Sequence, residues 1–499
     1  MVKRYIKGQA LIIVLIIILV VLVLGNVLAT LAVHEKKLSY RQADWEVLLW
    51  AATAGIEDAI YRITYGVDGL NLINGVVTLP TQQLYPADES TPIAAYRVTV
   101  DGTGNASRYI KVFTITSEAT LQSDPSAKRT VVAVIKQENF GKYLYFTNSE
   151  TSSVASGQRI WWTYWDKADG PVHSNDTFNI FWKVNNPPNP IFLGQVTSAA
   201  SSINYDRYGS GPDAPQNENE YKQIFKDGSA GLKLGVERIE LPQNVYIQKS
   251  VAWGATTGFP TQSGVYLPND GYNAIGGIYI VGDCSINMSV SGNTQVFTIT
   301  QGSQTTTVSL DLSAGQTKIQ PPTGSAKIYS GLINGVIYCD GNITSLQGKV
   351  KGGYNIVADL QKGYNITITN NITYSDDPRT NPNSQDRLGL MARNIIISTS
   401  APNDLEIDAL ILAGCKDYSD GSFYYAGWQS YLKGTLTVYG GIIQNKRGPV
   451  GTFSSSTGQK ITGYSKNYHY DSRLLDNPPP YFATTGKYYI AAWRDLGRR

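Results

Sequence analysis

The feature that most constrains this chain is an uninterrupted apolar run near its N-terminus. No charged side chain occurs from Ala10 to Val33, and Lys3, Arg4 and Lys7 precede the run. As a helix the run is roughly 36 Å long at about 1.5 Å per residue, enough to cross a hydrocarbon layer of about 30 Å. It is longer than the ~7–15 apolar residues of a secretory signal peptide. The sequence predicts one membrane span whose N-terminus is cytoplasmic, because basic residues are retained on that side.

The helical pattern continues beyond the apolar run. Apolar residues recur at spacings of three and four and form one stripe: Trp45, Leu48, Leu49, Ala52, Ile56, Ala59, Ile60 and Ile63. One helix is therefore expected to leave the membrane and to end near Tyr65-Gly66, where glycine adopts the left-handed conformation that closes helices. The stripe must be buried against a folded domain or another helix.

This N-terminus resembles the prepilin-type signal and first helix of minor pilins. Lys7-Gly8-Gln9-Ala10 and the apolar residues after it, with Ala51-Ala52-Thr53-Ala54-Gly55, are similar to PilX-like minor subunits of type IV pili and K-type subunits of type II secretion. The resemblance covers about residues 1–66. It implies a substrate of prepilin peptidase that is cut between Gly8 and Gln9, sits in the membrane bilayer and packs against other pilin or pseudopilin subunits. It also implies a body outside the cytoplasm or on the cell surface.

Two positions depart from the common pattern. Ile13 stands where major pilins have a glutamate, whose carboxylate pairs with a neighbouring N-terminal amine and offsets charge burial. Its absence favours an initiating or tip position in a filament. Gln9 stands where phenylalanine or methionine is commoner. An uncut signal anchor that holds a surface protein is the alternative interpretation.

The composition indicates several β-rich domains. Only 16% of the 499 residues are charged, whereas Gly (48) and Tyr (33) are abundant; a chain this long exceeds one core. The net charge of +3 arises from 42 basic and 39 acidic residues, so no nucleic-acid partner is predicted. Cys284, Cys339 and Cys415 form no disulfide framework. One pair is able to bridge in an oxidising exterior, but three small buried residues are favoured.

After the leader (1–8) and the helix (9–66), strand-like alternation begins. A linker around Pro80 to Pro92 precedes three alternating segments, 96–100, 109–115 and 131–135, and turn residues at 101–105 separate the first two. These predict an antiparallel β meander over residues 90–140. The helix stripe is expected to pack on its inner face.

Residues 141–270 are predicted to form an irregular, aromatic-rich β region. They hold Trp161-Trp162-Thr163-Tyr164-Trp165 and an aromatic segment at 178–182. With Arg447-Gly448-Pro449 and Thr462-Gly463-Tyr464, this region resembles large PilX-like surface proteins of uncharacterised function. That resemblance covers much of residues 140–485 and implies no particular biochemistry.

Short β-branched strands recur over residues 271–499. They are punctuated by Gly, Asn and Asp and lie at 277–283, 335–341, 354–357, 364–369, 394–397, 407–412 and 435–439. Inward Ile and Val stacks of this kind are typical of a parallel β-helix. The predicted fold class is α+β, mostly β: a long transmembrane and amphipathic helix, an antiparallel meander and a β-helix-like C-terminal domain. A β-sandwich is the alternative.

Residue patterns for catalysis are weak. His173, Ser174 and Asp176 are neighbours in sequence but need not converge, and no nucleophile-elbow, zinc-protease or P-loop motif occurs. Acidic clusters serve β-helix carbohydrate enzymes, and the candidates for such a role are Asp283, Asp340, Asp376 and Asp377. Aspartates that form turns are the favoured interpretation. A calcium site at Asp376, Asp377, Asn381, Asn383 and Asp386 matches no known loop spacing. We predict no catalytic residue, metal or cofactor.

Aromatic richness is compatible with binding a surface glycan or a protein. Tyr and Trp offer flat faces with polar tips, and the candidates are Tyr424, Tyr425, Trp428, Tyr431, Tyr464, Tyr468 and Tyr470. Core packing is the favoured role of each. The sequons at Asn342 and Asn365 suggest exposed positions. The sequence thus predicts a non-enzymatic minor pilin-like filament component, with a membrane-anchored adhesin or glycan-binding protein as the alternative and a β-helix carbohydrate-active enzyme as a third.

Overall fold

The structure is a computed structural model that describes residues 5–87, 89–184, 189–207, 211–454, 456–457 and 459–497. The chain divides into two compact units. Unit 1 comprises Met1–Gln137 with Lys487–Arg499, and unit 2 comprises Glu138–Gly486. Unit 2 is thus, along the sequence, an insertion between two segments of unit 1.

The helices and strands follow in chain order. The α-helices are α1 (Tyr5–Tyr65), α2 (Glu218–Tyr221), α3 (Tyr246–Trp253) and α4 (Arg473–Asp476). The strands up to residue 234 are β1 (Val76–Thr78), β2 (Gln82–Leu84), β3 (Ala94–Asp101), β4 (Val112–Leu121), β5 (Lys128–Asn139), β6 (Tyr145–Ser149), β7 (Lys167–Ala168), β8 (Val172–Ser174), β9 (Asn179–Trp182), β10 (Ile191–Phe192), β11 (Val196–Ser198), β12 (Asn204–Arg207) and β13 (Leu232–Leu234).

The later strands are β14 (Gly264–Tyr266), β15 (Ile278–Val281), β16 (Cys284–Ser291), β17 (Thr294–Gln301), β18 (Gln304–Asp311), β19 (Gln316–Gln320), β20 (Lys327–Ser330), β21 (Val336–Asp340), β22 (Ile343–Val350), β23 (Gly353–Ala358), β24 (Ile366–Tyr374), β25 (Arg387–Ala392), β26 (Ile395–Ile397), β27 (Leu405–Ala413), β28 (Phe423–Tyr425), β29 (Leu432–Lys446), β30 (Gly451–Phe453), β31 (Lys460–Tyr470) and β32 (Thr484–Asp495). Short 3-10 helices lie at Val67–Leu72, Asn105–Ser107, Phe140–Lys142, Gly228–Gly231 and Leu360–Lys362.

Unit 1 combines the long helix α1 with a six-stranded sheet. α1 is a single helix of 61 residues, and it ends where predicted, since Gly66 follows Tyr65 with φ of 66°. The antiparallel meander is confirmed: β3 pairs with β4 and β4 with β5, both antiparallel. β1 and β2 also pair with β3. Both strands precede the predicted meander, and β2 lies within the predicted linker.

The C-terminal segment belongs to unit 1. The repeated short strands predict one β-helix-like region over 271–499, whereas Lys487–Arg499 cluster with α1 and its sheet. β32 pairs with β5 at the edge of that sheet, and the ring of Tyr488 lies 5.7 Å from that of Phe113. The sequence could not place this segment, because the alternation of β32 shows which of its faces is buried but not which strand pairs with it.

Unit 2 contains long ladders of parallel strands. Residues that are paired in register on neighbouring strands form one column. It crosses ten strands in the order β15, β21, β23, β25, β27, β29, β6, β8, β11 and β13. Its members are Ile278, Ile337, Ile356, Leu390, Ile411, Ile442, Tyr145, Val172, Val196 and Leu232. All but the last are at most 3% exposed. An inward apolar stack across parallel strands is therefore present, as the repeated Ile and Val positions predicted.

The order of that column departs from the sequence. After Ile442 of β29 the next residue is Tyr145 of β6, so early strands stack on late ones. The sequence predicts a division between residues 141–270 and 271–499, but strands from both ranges share this sheet. Strand pairing therefore continues across residue 270, and a domain boundary there stays a prediction.

A second ladder is supported by an asparagine row. Cys284, Ile343, Ile366, Ile395 and Phe423 face one another in successive parallel strands. Just before them, the side-chain oxygens of Asp283, Asn342, Asn365 and Asn394 each accept a backbone N–H from the following coil. Asn342 and Asn365, the asparagines of two sequons, are half-buried members of this row. Each accepts a backbone N–H that would otherwise be unpaired.

Strands β16 to β20 form an antiparallel meander that the sequence pattern did not predict. Each pairs antiparallel with the next. Gly292, Gly302 and Gly315 occupy the connections with φ near 60°, a conformation that glycine adopts without strain.

Candidate functional site

The first functional element is the N-terminal half of α1. Its large apolar side chains from Leu11 to Val33 are about half exposed or more. By length and composition the helix Ala10–Tyr65 contains a stretch that is apolar enough to cross a membrane, and none of that stretch is buried. Such a surface fits a bilayer or a contact with other apolar helices.

The second half of α1 packs on the sheet of unit 1. Of the residues predicted to pack, Leu48, Ala52, Ile56 and Ile63 are at most 2% exposed, and Trp45, Leu49 and Ile60 are partly buried against the same cluster. The helix backbone lies close to the strands at Gly55, where an added Cβ would overlap Ser117 Oγ and would lie 2.9 Å from Tyr96 Cδ2. Glycine therefore lets the helix backbone approach the strands.

One end of this contact is held by Arg129 on β5. Its guanidinium lies 4.2 Å from the centre of the Trp45 ring and donates to the Trp45 carbonyl oxygen. The same group is paired with Asp495 of β32 at 2.6 Å. A single arginine thus joins the helix, the meander and the C-terminal strand.

The predicted processing residues lie at the start of α1. The backbone of Gly8 and Gln9 is helical, while Lys3 and Arg4 of the predicted leader lie outside the described residues. Cleavage between Gly8 and Gln9 stays a prediction.

Residues weighed for catalysis have structural partners. His173 is 1% exposed, with its ring nitrogens bonded to Thr197 Oγ1 at 2.8 Å and Asn175 Oδ1 at 3.0 Å. Asp340 is paired with Lys362, and Asp377 with Arg379.

The acidic turn weighed for calcium is occupied by protein donors. The Asp386 carboxylate accepts backbone N–H groups from Gly352 and Asp376, and the Asp376 carboxylate accepts the Asn381 amide. Within the described ranges, no group of three or more His, Cys, Asp or Glu side chains could hold a metal ion.

The three cysteines are buried and unpaired. Cys284 and Cys339 approach to 3.8 Å between sulfurs, whereas Cys415 is not in this pair. Contact with Cys284 together with burial raises the pKa of the Cys339 thiol.

The second candidate functional element is a groove in unit 2, here called the aromatic groove. It encloses about 490 Å³, and its lining comes from four segments that are distant in sequence: 158–166, Trp428, 449–453 and 460–466. Its aromatic residues are Trp161, Tyr164, Trp428, Phe453 and Tyr464. This volume lies in the range of small-ligand pockets, about 300–1,000 Å³.

Hydrogen bonds fix the wall formed by residues 158–166. The Asp166 carboxylate accepts the Thr163 N–H at 2.9 Å, and the Asp166 N–H donates to the Thr163 carbonyl oxygen at 3.0 Å. Lys466 of β31 donates to the Asp166 carboxylate and to the Trp161 carbonyl oxygen. The wall formed by residues 158–166 is therefore fixed to strand β31 by Lys466.

The opposite wall is fixed in the same way. Thr462 Oγ1 donates to the Trp428 carbonyl oxygen, and Tyr464 Oη donates to the Pro402 carbonyl oxygen at 2.6 Å. The rings of Phe453 and Phe181 lie 5.6 Å apart. Both aromatic walls are thus positioned before any ligand arrives, which lowers the entropic cost of binding.

Cations outnumber carboxylates in the groove lining. Asp166 is paired with Lys466, whereas neither Arg159 nor Lys460 forms an ion pair with a carboxylate in the described part of the chain, although Asp404 acts on Lys460 at longer range. Lys460 donates to the carbonyl oxygens of Lys433 and Gly434, and burial lowers its pKa.

The aromatic candidates named from the sequence divide between core and groove. Tyr425 and Tyr468 are at most 2% exposed, whereas Trp428 and Tyr464 line the groove. Trp161, Phe453 and the two cations were not among the candidates for binding. No local signal identifies them, because the walls meet only through the pairing of β29, β31 and β7.

Comparisons with known proteins give little further information. A family model of a domain of unknown function (DUF4900) matches residues 94–201. The search of curated proteins gives no match. The solved structure of the competence-associated pilin ComZ from Thermus thermophilus is similar over 92% of this chain and 98% of that chain, with 12% identity and a TM-score of 0.29. This similarity is weak, and any function must be assigned from the geometry of the chain itself.

Proposed function

We propose that this protein is a non-enzymatic, minor pilin-like subunit of a type IV pilus or a related secretion filament. The observation that carries the proposal is α1. Its exposed apolar half suits a bilayer and, later, neighbouring helices, while its second half is built into the sheet of unit 1 at Gly55. Because one helix belongs both to the filament contact and to the sheet of unit 1, the folded body would move out of the bilayer when α1 enters a filament.

In this proposal the N-terminus is cytoplasmic, prepilin peptidase cuts after Gly8, and unit 2 is displayed outside the cytoplasm. The partners are the bilayer and other pilin or pseudopilin subunits. Unit 2 interrupts unit 1 between β5 and β32, so the body can carry a surface function without altering α1.

The first test is the N-terminus of protein recovered from its native membrane, by intact mass or terminal sequencing. A start at Gln9 supports the filament proposal. A start at Met1 contradicts it and favours the second candidate, a signal-anchored surface adhesin, for which the aromatic groove is the specific observation.

A second test places a photo-crosslinking residue at Leu19, which is 62% exposed on α1, and a matched one at Tyr272, which is 82% exposed in unit 2. We expect Leu19 adducts with other helical subunits under filament-forming conditions, and none of these at Tyr272. Equal adducts at both positions would contradict side-by-side packing of α1.

The tip position is tested by Ile13→Glu. An apical subunit gains nothing from a carboxylate that has no preceding amine to pair with, and it loses stability through charge burial. A subunit of the shaft incorporates better with the glutamate. Counting the variant in sheared filaments separates the two outcomes.

A further inference from the structure

The indoles of the aromatic groove keep their N–H donors open to the space around them. Neither the Trp161 nor the Trp428 indole N–H donates to another described residue, and neither is among the buried unpaired atoms. A half-buried indole offers an apolar face together with a donor that a ligand can use. Two flat faces with unused donors therefore face a fixed space of about 490 Å³.

Charge adds a second requirement for the ligand. Arg159 is exposed at the groove and Lys460 is partly buried in it. Neither forms an ion pair with a described carboxylate, although Asp404 acts on Lys460 at longer range. A cation beside low-dielectric aromatic walls attracts an anion more strongly than one in open water. Arginine in particular matches the planar geometry of a carboxylate.

We propose that the aromatic groove binds a short acidic oligosaccharide, with uronic-acid rings stacked on Trp161 and Trp428 and a carboxylate facing Arg159 and Lys460. Sugar rings present C–H groups to the aromatic faces and hydroxyls to polar groups. Thr452, Ser465 and Gln158 supply such groups in the lining. This inference does not depend on the filament proposal, since a signal-anchored protein would use the same groove.

The observations favour a glycan over a single-stranded nucleic acid. A nucleic-acid groove tracks a phosphate backbone with a series of cations. Here Lys466 is already paired with Asp166, which leaves two cations, and the whole chain carries only +3. Nucleic acid is kept as an outcome of the test.

The experiment is calorimetric titration of the full chain in neutral detergent. The probes are tetramers of galacturonate, mannuronate and guluronate, the same tetramers with carboxylates reduced to alcohols, and an eight-nucleotide oligothymidylate. We expect at least one uronate tetramer to bind, with its reduced form at least about tenfold weaker, a change of about 1.4 kcal/mol.

Variants locate the binding. Trp428→Ala and Trp161→Ala should each weaken uronate binding about tenfold or more, whereas Trp165→Ala should not, because Trp165 is 62% exposed and does not line the groove. Arg159→Gln should remove most of the preference for the charged tetramer. Lys318→Gln removes the same charge from an exposed site on β19 and should leave that preference unchanged.

The proposal is overturned if none of the three tetramers binds at millimolar concentration, or if only the oligothymidylate binds. It also fails if Trp165→Ala weakens binding as much as Trp428→Ala. Hydrogen exchange of β31 in each variant shows that the strand is intact, so loss of binding reports the groove and not unfolding. Neither result changes the expected N-terminus, so the two proposals fail separately.

Discussion

Units 1 and 2 are both built from β-strands, but they select strand partners in different ways. In the meander of unit 1, strands that are neighbours in the sequence pair, β3 with β4 and β4 with β5, while β32 joins the edge of the sheet from the far end of the chain. In the parallel ladders of unit 2, each strand pairs with a strand that is not its neighbour in the sequence, and the column passes from Ile442 back to Tyr145. Local turns suffice for the first arrangement. The second arrangement requires that strands distant in sequence fit together in register. The aromatic groove is likewise lined by segments that are distant in sequence.

The variant with the largest expected effect tests the pairing between β29 and β6. Ile442→Ala removes a buried side chain of the inward column and should cost about 2–5 kcal/mol of unfolding free energy through lost burial and a cavity. Ile461→Ala, at a position 56% exposed, should cost less than about 0.5 kcal/mol. Hydrogen exchange should show lost protection in β6 as well as in β29. Protection lost in β29 alone would mean that the early strands do not depend on the late ones.

A titration probes the charge enclosed by the parallel strands. Burial raises the pKa of Asp408 on β27 to about 7, outweighing the nearby Arg379. Its Oδ1 has no hydrogen-bond partner among the described residues. Because the folded state keeps the proton to higher pH than the unfolded chain, the free energy of unfolding should fall between about pH 4 and pH 7, by at most about 4 kcal/mol.

The variant that checks this titration is Asp408→Asn, which should flatten the pH dependence and be relatively most stabilising at pH 8. Urea unfolding at pH 5 and pH 8 measures the difference. Asp227→Asn, at an exposed residue, should retain the wild-type profile. An Asp408→Asn profile identical to wild type would place the titrating group elsewhere.

Unit 1 is tested where the helix approaches the strands. Gly55→Ala should destabilise it by about 1–3 kcal/mol, because overpacking against Ser117 and Tyr96 exceeds the ~0.5–1 kcal/mol that alanine contributes to helix propensity. Gly25→Ala in the same helix meets no atom within 4 Å and should not destabilise the unit. Thermal unfolding of the full chain in detergent compares the two. Equal effects would remove the case for close packing at Gly55.

The smallest effect concerns the asparagine row of unit 2. Asn365 accepts both the backbone N–H and the side-chain amide of Asn394. Asn365→Ala should therefore cost about 1–2 kcal/mol through an unpaired, half-buried N–H. Asn293→Ala, in an exposed turn, is the control and should be nearly neutral by denaturant titration. If both variants are neutral, water replaces the lost acceptor and the row is not a stabilising feature.

Prediction from the sequence succeeded where the signal was local. The stripe at Leu48, Ala52, Ile56 and Ile63 describes one helix face, and Gly66 marks the end of that helix. The strands of the meander and the repeated apolar strands after Gly276 were found by their alternation. The roles of Asn342 and Asn365 were missed, because a sequon pattern resembles an exposed turn and does not reveal an acceptor row between coils.

The amino-acid sequence by itself determined the membrane-length helix, its continuation as an amphipathic stripe, the antiparallel meander and the presence of stacked β-strands, because each depends on periodicity within one segment. Only the tertiary structure decided that β32 returns to the sheet of α1, that β6 stacks on β29, and that Trp161 and Trp428 face one groove. These arrangements join residues hundreds of positions apart, and strand alternation specifies which face is buried without naming the partner strand.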